Sequence, residues 1–371
     1  MFMKKFVSVL AVSAMAVSLL AGCGSSSAST STATSEAAPA SQAASEAASE
    51  AASAAASEVA GDADLANKKV GVCIYQFADN FMTLYRTELE NYLVSLGFDK
   101  KNITIADGAN DQATQTNQIQ NFITDGVDVL IINPVNSSSA ATITDMVNEA
   151  GIPLVYINRE PDEDEQARWA DMKVTYVGCD ARQSGTFQGE MISDIGLETL
   201  DMNGNGKVDY IMIEGDPENV DAQYRTEFSV KALQDAGLEV ECLDDQVGNW
   251  DQATAQGLVA NSLAKNGNDV EVVFCNNDAM ALGALQAIQA AGRTVGTDIY
   301  LVGVDALSEA LELVQSGEMT GTVFNDHFTQ AHNAADAAVK FIKGETVEPK
   351  ISCDYVKVTT DNAQEILDLL K

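Results

Sequence analysis

Basic residues are scarce in this chain: 21 Lys and Arg stand against 55 Asp and Glu in 371 residues, a formal net charge of −34 at pH 7. Binding to phosphate backbones or anionic lipid needs a basic face, so the balance argues against nucleic acid and acidic membrane surfaces as partners. Histidine is scarcer still. The only two, His327 and His332, fall on one expected helix, with no G-x-S-x-G and no Cys–His motif to accompany them. Nucleophilic catalysis therefore has no recognisable machinery. Cysteines are few and scattered: Cys73, Cys179, Cys242, Cys275 and Cys353 follow Cys23 without any C-x-x-C spacing. An odd number of widely spaced cysteines argues against a disulfide framework or a zinc site, while leaving room for one bridge. Cys73 and Cys275 lie in apolar strand-like runs, where a free thiol acts as a small hydrophobe. After the first 22 residues no apolar run is long enough to cross a bilayer.

Those first 22 residues read as a secretory address. Lys4 and Lys5 precede the apolar run FVSVLAVSAMAVSLL, and Leu20-Ala21-Gly22-Cys23 has the small-residue form of a cleavage site. A Cys directly after that site resembles the bacterial lipobox, which implies lipidation of Cys23 as the mature N-terminus. An ordinary signal peptide or a membrane anchor is the alternative. Residues 23–66 are mostly Ser, Ala, Thr and Glu with no aromatic or basic side chain, the composition of a disordered tether.

The remainder alternates short apolar runs with longer amphipathic ones. VGVCIYQ, NITIADG, VDVLIINP and IPLVYIN read as strands separated by helices over 80–97, 112–126 and 138–150. The rhythm restarts at TYVGCD (175–180) and continues through VDYIMIEG, LEVECLD, VEVVFCNND and IYLVGVD. Continuous apolar strands between helices imply parallel βαβ units covered on both faces. The expected fold is therefore α/β, with two doubly wound parallel-sheet lobes and a break near 152–175. The acidic stretch REPDEDEQAR (159–168) reads as an exposed loop near that junction.

Residues 201–209, DMNGNGKVD, have the form of a calcium loop. The pattern D-x-[DN]-x-[DN]-G turns alternate side-chain oxygens toward one point, with Gly at the sharp turn. Asp201, Asn203 and Asn205 would supply the first three oxygens, Gly206 the turn, Lys207 a backbone carbonyl and Asp209 a further carboxylate. Met212 stands where an EF-hand needs a bidentate Glu, so the loop is not an EF-hand and a distant carboxylate must complete it. The alternative is a polar Asn-Gly turn.

Ligands of doubly wound sheets bind beyond the carboxyl ends of the strands. Asp79, Phe81, Asn133, Asn277 and Asp305 follow strand ends, Asp221 and Arg225 open a helix, and Trp250 precedes another. Carboxylates that accept, amides and a guanidinium that donate, and two aromatics that cover C–H faces suit an uncharged polyhydroxylated ring. Each residue singly has a plainer reading, as a helix cap or as core.

IYQFADNFM, NDQATQTNQIQ, YVGCDARQSGTFQGE, NNDAMALGALQA and GVDALSEALELVQSGEMTGTVFND resemble the bacterial periplasmic galactose/glucose-binding proteins, solute receptors of sugar ABC transporters within the ribose-binding-like superfamily. The likeness covers roughly 69–371. It implies a hexose, D-galactose or D-glucose, held between the lobes by Asp79, Phe81, Asn133, Asp221, Arg225, Trp250, Asn277, Asp305 and Asn325, with Phe81 and Trp250 sandwiching the ring. Asn219 replaces a His of the family, which bears on sugar preference. The likeness also implies a Ca2+ ion, with Glu271 as the missing distant ligand. It further implies a three-segment hinge, with an N-lobe of 68–154 plus 327–352 and a C-lobe of 156–325 plus 355–371. The partners implied are an ABC sugar permease and, as a second reader, a chemoreceptor, with the membrane reached only through the lipid anchor. Other monosaccharides such as ribose or xylose, and a sensor without transport, stay open. A transcriptional regulator would need a basic helix-turn-helix where this chain has its acidic tether. A glycosidase using Asp79 and Asp221 would need one raised pKa, against which Arg225 is expected to work.

Overall fold

In the computed structural model, which describes residues 65–371, the short apolar runs become strands shielded on both faces. Val70–Ile74 (β1), Val129–Ile132 (β3) and Leu154–Ile157 (β4) are buried at every position. Such strands belong inside a parallel sheet covered by helices. Together with Ile103–Asp107 (β2), Val174–Cys179 (β5) and Lys350–Cys353 (β11) they form a six-stranded sheet ordered β11-β5-β4-β3-β1-β2. All of its pairings are parallel.

A second parallel sheet holds Val208–Glu214 (β6), Val240–Val247 (β7), Val272–Cys275 (β8) and Tyr300–Val302 (β9) in the order β7-β6-β8-β9. Thr322–Asn325 (β10) and Tyr355–Val358 (β12) pair antiparallel, and single bridges from Val302 to Gly321 and from Asp305 to Phe324 set β10 beside β9. The chain thus adopts the two-lobed, doubly wound α/β architecture expected from its sequence.

The helices are started by the residues that end the strands. Asp79 caps Asn80–Ser95 by accepting from Met82 N at 2.7 Å, and that helix lays Phe81, Met82, Tyr85, Leu89 and Leu93 on the first sheet. The three- and four-residue spacing puts all five on one face. Asn219 caps Val220–Asp235 and Asn277 caps Asp278–Ala290 in the same way. A side-chain oxygen satisfying the free N–H groups of a first turn stabilises a helix by about 1 kcal/mol. The cap reading and the site reading of these residues therefore coexist, because a capping side chain stands at the cleft end of its strand.

The chain crosses between the sheets three times: after Cys179, after Asn325 and after Cys353. The first crossing corrects the boundary expected at 154–156. β5 lies in the first sheet, paired with β4 on one side and β11 on the other, so the break in rhythm at 152–175 is an insertion within one lobe. The acidic stretch is correspondingly anchored, not a free loop. Its Glu165 is buried and accepts from Trp169 Nε1 at 2.8 Å, while Trp169 stacks on Tyr156 with ring centroids 5.6 Å apart.

The signal reading of 1–22, Cys23 and the tether up to residue 64 lie outside the described residues. The last part of the expected tether is ordered, since Leu65–Asn67 forms a helical turn with Leu65 buried. Among the described residues no helix is long and apolar enough to cross a membrane.

Candidate functional site

Side chains from both lobes line one small cavity, with about 30 Å³ of free space. From the first lobe come Asp79, Phe81, Asn158 and Arg159, and from the second Asn219, Asp221, Arg225, Trp250, Asn277 and Asp305. Asn325 stands at the second crossing. The structure thus gathers nine of the ten residues singled out from the sequence. Asn133 is the exception. It is fully buried one layer behind, its Oδ1 accepting from Tyr75 N and its Nδ2 donating to Ile157 O and to Asn158 Oδ1. Asn158, which Asn133 thereby positions, takes its place on the wall.

Arg225 is the best-held group. Nη1 donates to Asn276 O at 2.8 Å, Nη2 to Tyr355 Oη at 3.0 Å and Nε to Ser184 Oγ at 3.3 Å. The guanidinium lies 3.9 Å from the Asp221 carboxylate and 5.7 Å from the Trp250 ring centroid. Helix Ala181–Ser193 reaches it because Gly185 and Gly189 face the helix Val220–Asp235. A Cβ on Gly189 would stand 2.2 Å from Ser229 O, and one on Gly185 2.9 Å from Arg225 O.

The carboxylates are electrostatically loaded. Burial pushes Asp221 up to about 6 despite the opposing pull of Arg225, and pushes Asp305 well above the usual carboxylate range. The expectation that Arg225 would keep Asp221 low is thereby overturned: desolvation outweighs a guanidinium that other acceptors already share. Asp305 accepts from Asn325 Nδ2 at 3.2 Å. Asp278 is also raised to about 6 by burial, but it faces inward, accepting from Thr322 Oγ1 and Leu307 N.

Sequence reasoning missed Asn158 and Arg159. Arg159 is 1 % exposed, pairs with Asp216 of the other lobe at 3.2 Å and donates to Val135 O, while its Nε and Nη2 have no protein partner. Its guanidinium stacks 3.9 Å from the Tyr75 ring centroid. Asn158 closes the expected strand IPLVYIN, and Arg159 opens the acidic stretch that reads as a loop.

Backbone strain gathers at this cavity. Asn158 at φ 61°, Trp250 at 65° and Asp305 at 120° are three of the seven non-glycine residues with positive φ among those described, and all three line the wall. Such conformations cost about 1–3 kcal/mol each and persist where the surroundings over-determine them, typically at binding sites. At Trp250 the neighbour that permits this is Gly215, whose Cβ would fall 2.2 Å from the indole.

The calcium-like loop is away from this cavity. Glu271 does reach it from the start of β8, as the resemblance implies, its Oε1 accepting from Met202 N and its Oε2 from Asp209 N at 2.9 Å. Asp201 accepts from Asn205 N and Gly206 N, and Lys207 Nζ turns outward to Glu241, leaving only its carbonyl to the loop. Among the described residues no group of three or more His, Cys, Asp or Glu side chains is gathered as a metal centre. The loop's donors are instead mixed amides and carboxylates. One feature favours a cation: Asp209 is buried, and its Oδ1 has no protein partner. Asp209 Oδ2 accepts from Nδ2 of Asn203 at 2.7 Å and of Asn205 at 2.8 Å, so a hard divalent ion would need both amides turned to offer oxygen.

Residues 70–346 match the periplasmic binding protein domain family. Over 314 residues, 81% of this chain and 92% of the relative, the sequence is 35% identical to a D-galactose/methyl-galactoside binding periplasmic protein of Haemophilus influenzae. It is 36% identical over 297 residues, 80% of this chain and 91% of the relative, to a Rhizobium meliloti protein provisionally assigned to rhizopine binding. Among solved structures, an ABC transporter solute-binding protein of Bacillus halodurans with bound myo-inositol matches with a TM-score of 0.72 and 29% identity, covering 83% of this chain and 99% of that one. With the cavity between two parallel-sheet lobes, these matches place the chain in the periplasmic binding protein family.

Proposed function

We propose that the chain is an extracytoplasmic receptor for a single sugar-sized polyol, with D-galactose or D-glucose as the first candidates, which it delivers to an ABC-type permease. The observation that carries this reading is the cavity itself: charged and amide side chains from both lobes face one small space that Phe81 and Trp250 also line. Asp79, Asp221 and Asp305 would accept from hydroxyls, while Arg159, Arg225, Asn219, Asn277 and Asn325 would donate. The unpartnered Nε and Nη2 of Arg159 and the unpartnered Nε1 of Trp250 are donors that ligand oxygens would satisfy. The rings of Phe81 and Trp250 would cover the C–H faces.

A second reading, a cyclitol of the inositol type, is favoured by the myo-inositol-bound relative. Such a ring offers hydroxyls all round and no hydroxymethyl arm, a difference that Asn219, standing where the resemblance implies a His, would sense. Both readings are of binding without bond cleavage. In support, the relatives named above are binding proteins. Transport through a permease is supported by the family. Lipidation of Cys23 and reading by a chemoreceptor are parts of the proposal that rest on sequence alone.

Isothermal titration against D-galactose, D-glucose, myo-inositol and D-ribose tests the reading. One of the first three should bind with an affinity at least tenfold above ribose. Ligand-dependent fluorescence should come from Trp250, because Trp169 is sealed against Tyr156. Trp250→Ala should weaken binding by about 2–4 kcal/mol, the scale of a buried aromatic hot spot. No heat with any polyol would sink the receptor reading.

The raised Asp221 gives a pH dependence with a fixed sign. Between 3.8 and about 6 the folded, ligand-free protein holds the proton more tightly than the unfolded chain. Stability without ligand therefore falls as pH rises through that window. Hydroxyl donors favour the charged carboxylate, so ligand affinity should rise with pH up to about 6 and level off above it. Asp221→Asn should bind more weakly and lose most of that dependence. Titrations from acid to neutral pH check this, and a profile identical in the variant would assign it to another group.

Asp201, Asn203, Asn205, Asp209, Glu271 and the Lys207 carbonyl would hold Ca2+, which would tie the loop to β8 and take no part in sugar contact. A metal that binds only the folded state raises the melting temperature by mass action. Calcium should therefore stabilise the protein, and Glu271→Ala should abolish the effect. Melting curves that ignore both calcium and chelator would leave 201–209 a polar turn.

A further inference from the structure

The last residues of β5 and β11, Cys179 and Cys353, are direct partners in the parallel register. Neighbouring strands run about 4.8 Å apart, inside the roughly 4.4–6.8 Å between Cα atoms that a disulfide spans. Residues opposite each other in a sheet point to the same face, and both thiols sit in one apolar cluster. Cys353 Sγ accepts from Asn333 Nδ2 at 3.4 Å, and the two thiols shift one another's proton affinity. The other described cysteines differ. Cys73 and Cys275 are buried in separate clusters, and Cys242 is exposed on β7.

The place of the pair in the fold is as telling as its geometry. Cys179 is where the chain first leaves the first sheet, and Cys353 is where it leaves for the last time. The remaining crossing touches them too, for Cys179 Sγ lies 3.8 Å from Oδ1 of Asn325, a residue of the cavity wall. All three crossings therefore meet at these two thiols. Both thiols are buried, Cys179 4 % and Cys353 7 % exposed, and β11 is the edge strand of its sheet.

We propose that Cys179 and Cys353 form a reversible disulfide that ties the lobe crossings together and makes the hinge a site of thiol oxidation. The oxidant is a disulfide, either a small molecule or the active-site bridge of a thiol–disulfide oxidoreductase, of the kind found outside the cytoplasm. The Cys353 thiolate attacks one sulfur of that disulfide and expels a thiolate. The Cys179 thiolate then attacks Sγ of Cys353, forms the intramolecular S–S bond and expels the second thiolate. The protein loses two electrons and two protons, and the oxidant gains them as two thiols. The neighbouring Cys179 and the hydrogen bond from Asn333 hold Cys353 below its ordinary value, which suits it to attack first. Cys179 is held above its ordinary value by the neighbouring Cys353 and by burial, a load that lightens once Cys353 is no longer a thiolate, whereas burial alone pushes Cys73 up to about 12. A closed bridge restrains the backbone on both sides of two crossings, where any hinge motion must take up its dihedral change.

The test oxidises the full, folded chain carrying Cys242→Ser with oxidised glutathione, then maps peptides by mass spectrometry without reduction. The expected product joins the peptide of Cys179 to that of Cys353 with the loss of two hydrogens, leaves Cys73 and Cys275 as free thiols, and reverts with dithiothreitol. Hydrogen exchange at the amides of residues 179–182 and 353–356 should slow several-fold in the bridged form. Adding Cys179→Ala should leave Cys353 as a glutathione mixed disulfide with no bridge. Thiols that stay free in the folded chain, or bridges spread over all the buried cysteines, overturn the site. A bridge that leaves exchange unchanged overturns its hinge role. None of these readouts uses the sugar ligand, so they stand apart from the receptor reading.

Discussion

The buried guanidinium of Arg225 is the constraint on which the second lobe's wall depends. A charge removed from water persists only where hydrogen bonds and counter-charges replace its hydration. Here they come from four places in the chain: Ser184, Asn276, Asp221 and Tyr355. Meeting that demand brings helix Ala181–Ser193 against helix Val220–Asp235 through two glycines, and it recruits β12 after the last crossing. Asp221 and Asp305 are held nearby at a desolvation cost that burial makes visible in their raised pKa values. The wall is thus set before any ligand arrives. Preorganised polar groups of this kind lose little freedom on binding and so waste little of the interaction energy.

The first lobe answers with fewer groups but a similar logic. Arg159 is sealed against Tyr75 and reaches across to Asp216, and Asn136 reaches Glu218 at 3.3 Å. These contacts bridge the lobes beside the cavity, so an arrangement with the cleft shut has its own protein–protein support. In the proposed reading a polyol adds to that support only when both walls touch it. It therefore favours the shut form over any form with the lobes apart. The strained residues Asn158, Trp250 and Asp305 fit this account, since each aims a side chain that a relaxed backbone would turn elsewhere.

Much of this was legible in the sequence because the strands are buried on both faces. VGVC, VLII and LVYI announce themselves by continuous apolar character, and Asp79, Asn219 and Asn277 mark both a helix cap and a cavity edge. The errors arose where one signal served two purposes. Asn133 ends a strand as Asn277 does, yet its amide is consumed in holding Tyr75, Ile157 and Asn158, and no pattern in the sequence separates the two cases. Arg159 was hidden by the acidic residues after it, which made a wall residue look like the start of a loop. The first crossing was misplaced for a related reason. A long insertion between β4 and β5 imitates a domain junction, and only the pairing of β5 with β11, some 170 residues later, shows that the lobe continues.

Small-angle scattering with and without a saturating polyol that titration has shown to bind tests the central claim most directly. A ligand that joins the two walls shifts the population toward the shut form, so the radius of gyration should fall on binding. The same measurement on an Arg159→Ala variant, which loses the cross-lobe pair with Asp216, should start from a larger ligand-free radius. Confirmed binding with an unchanged radius in both proteins would contradict the account and assign recognition to one lobe alone.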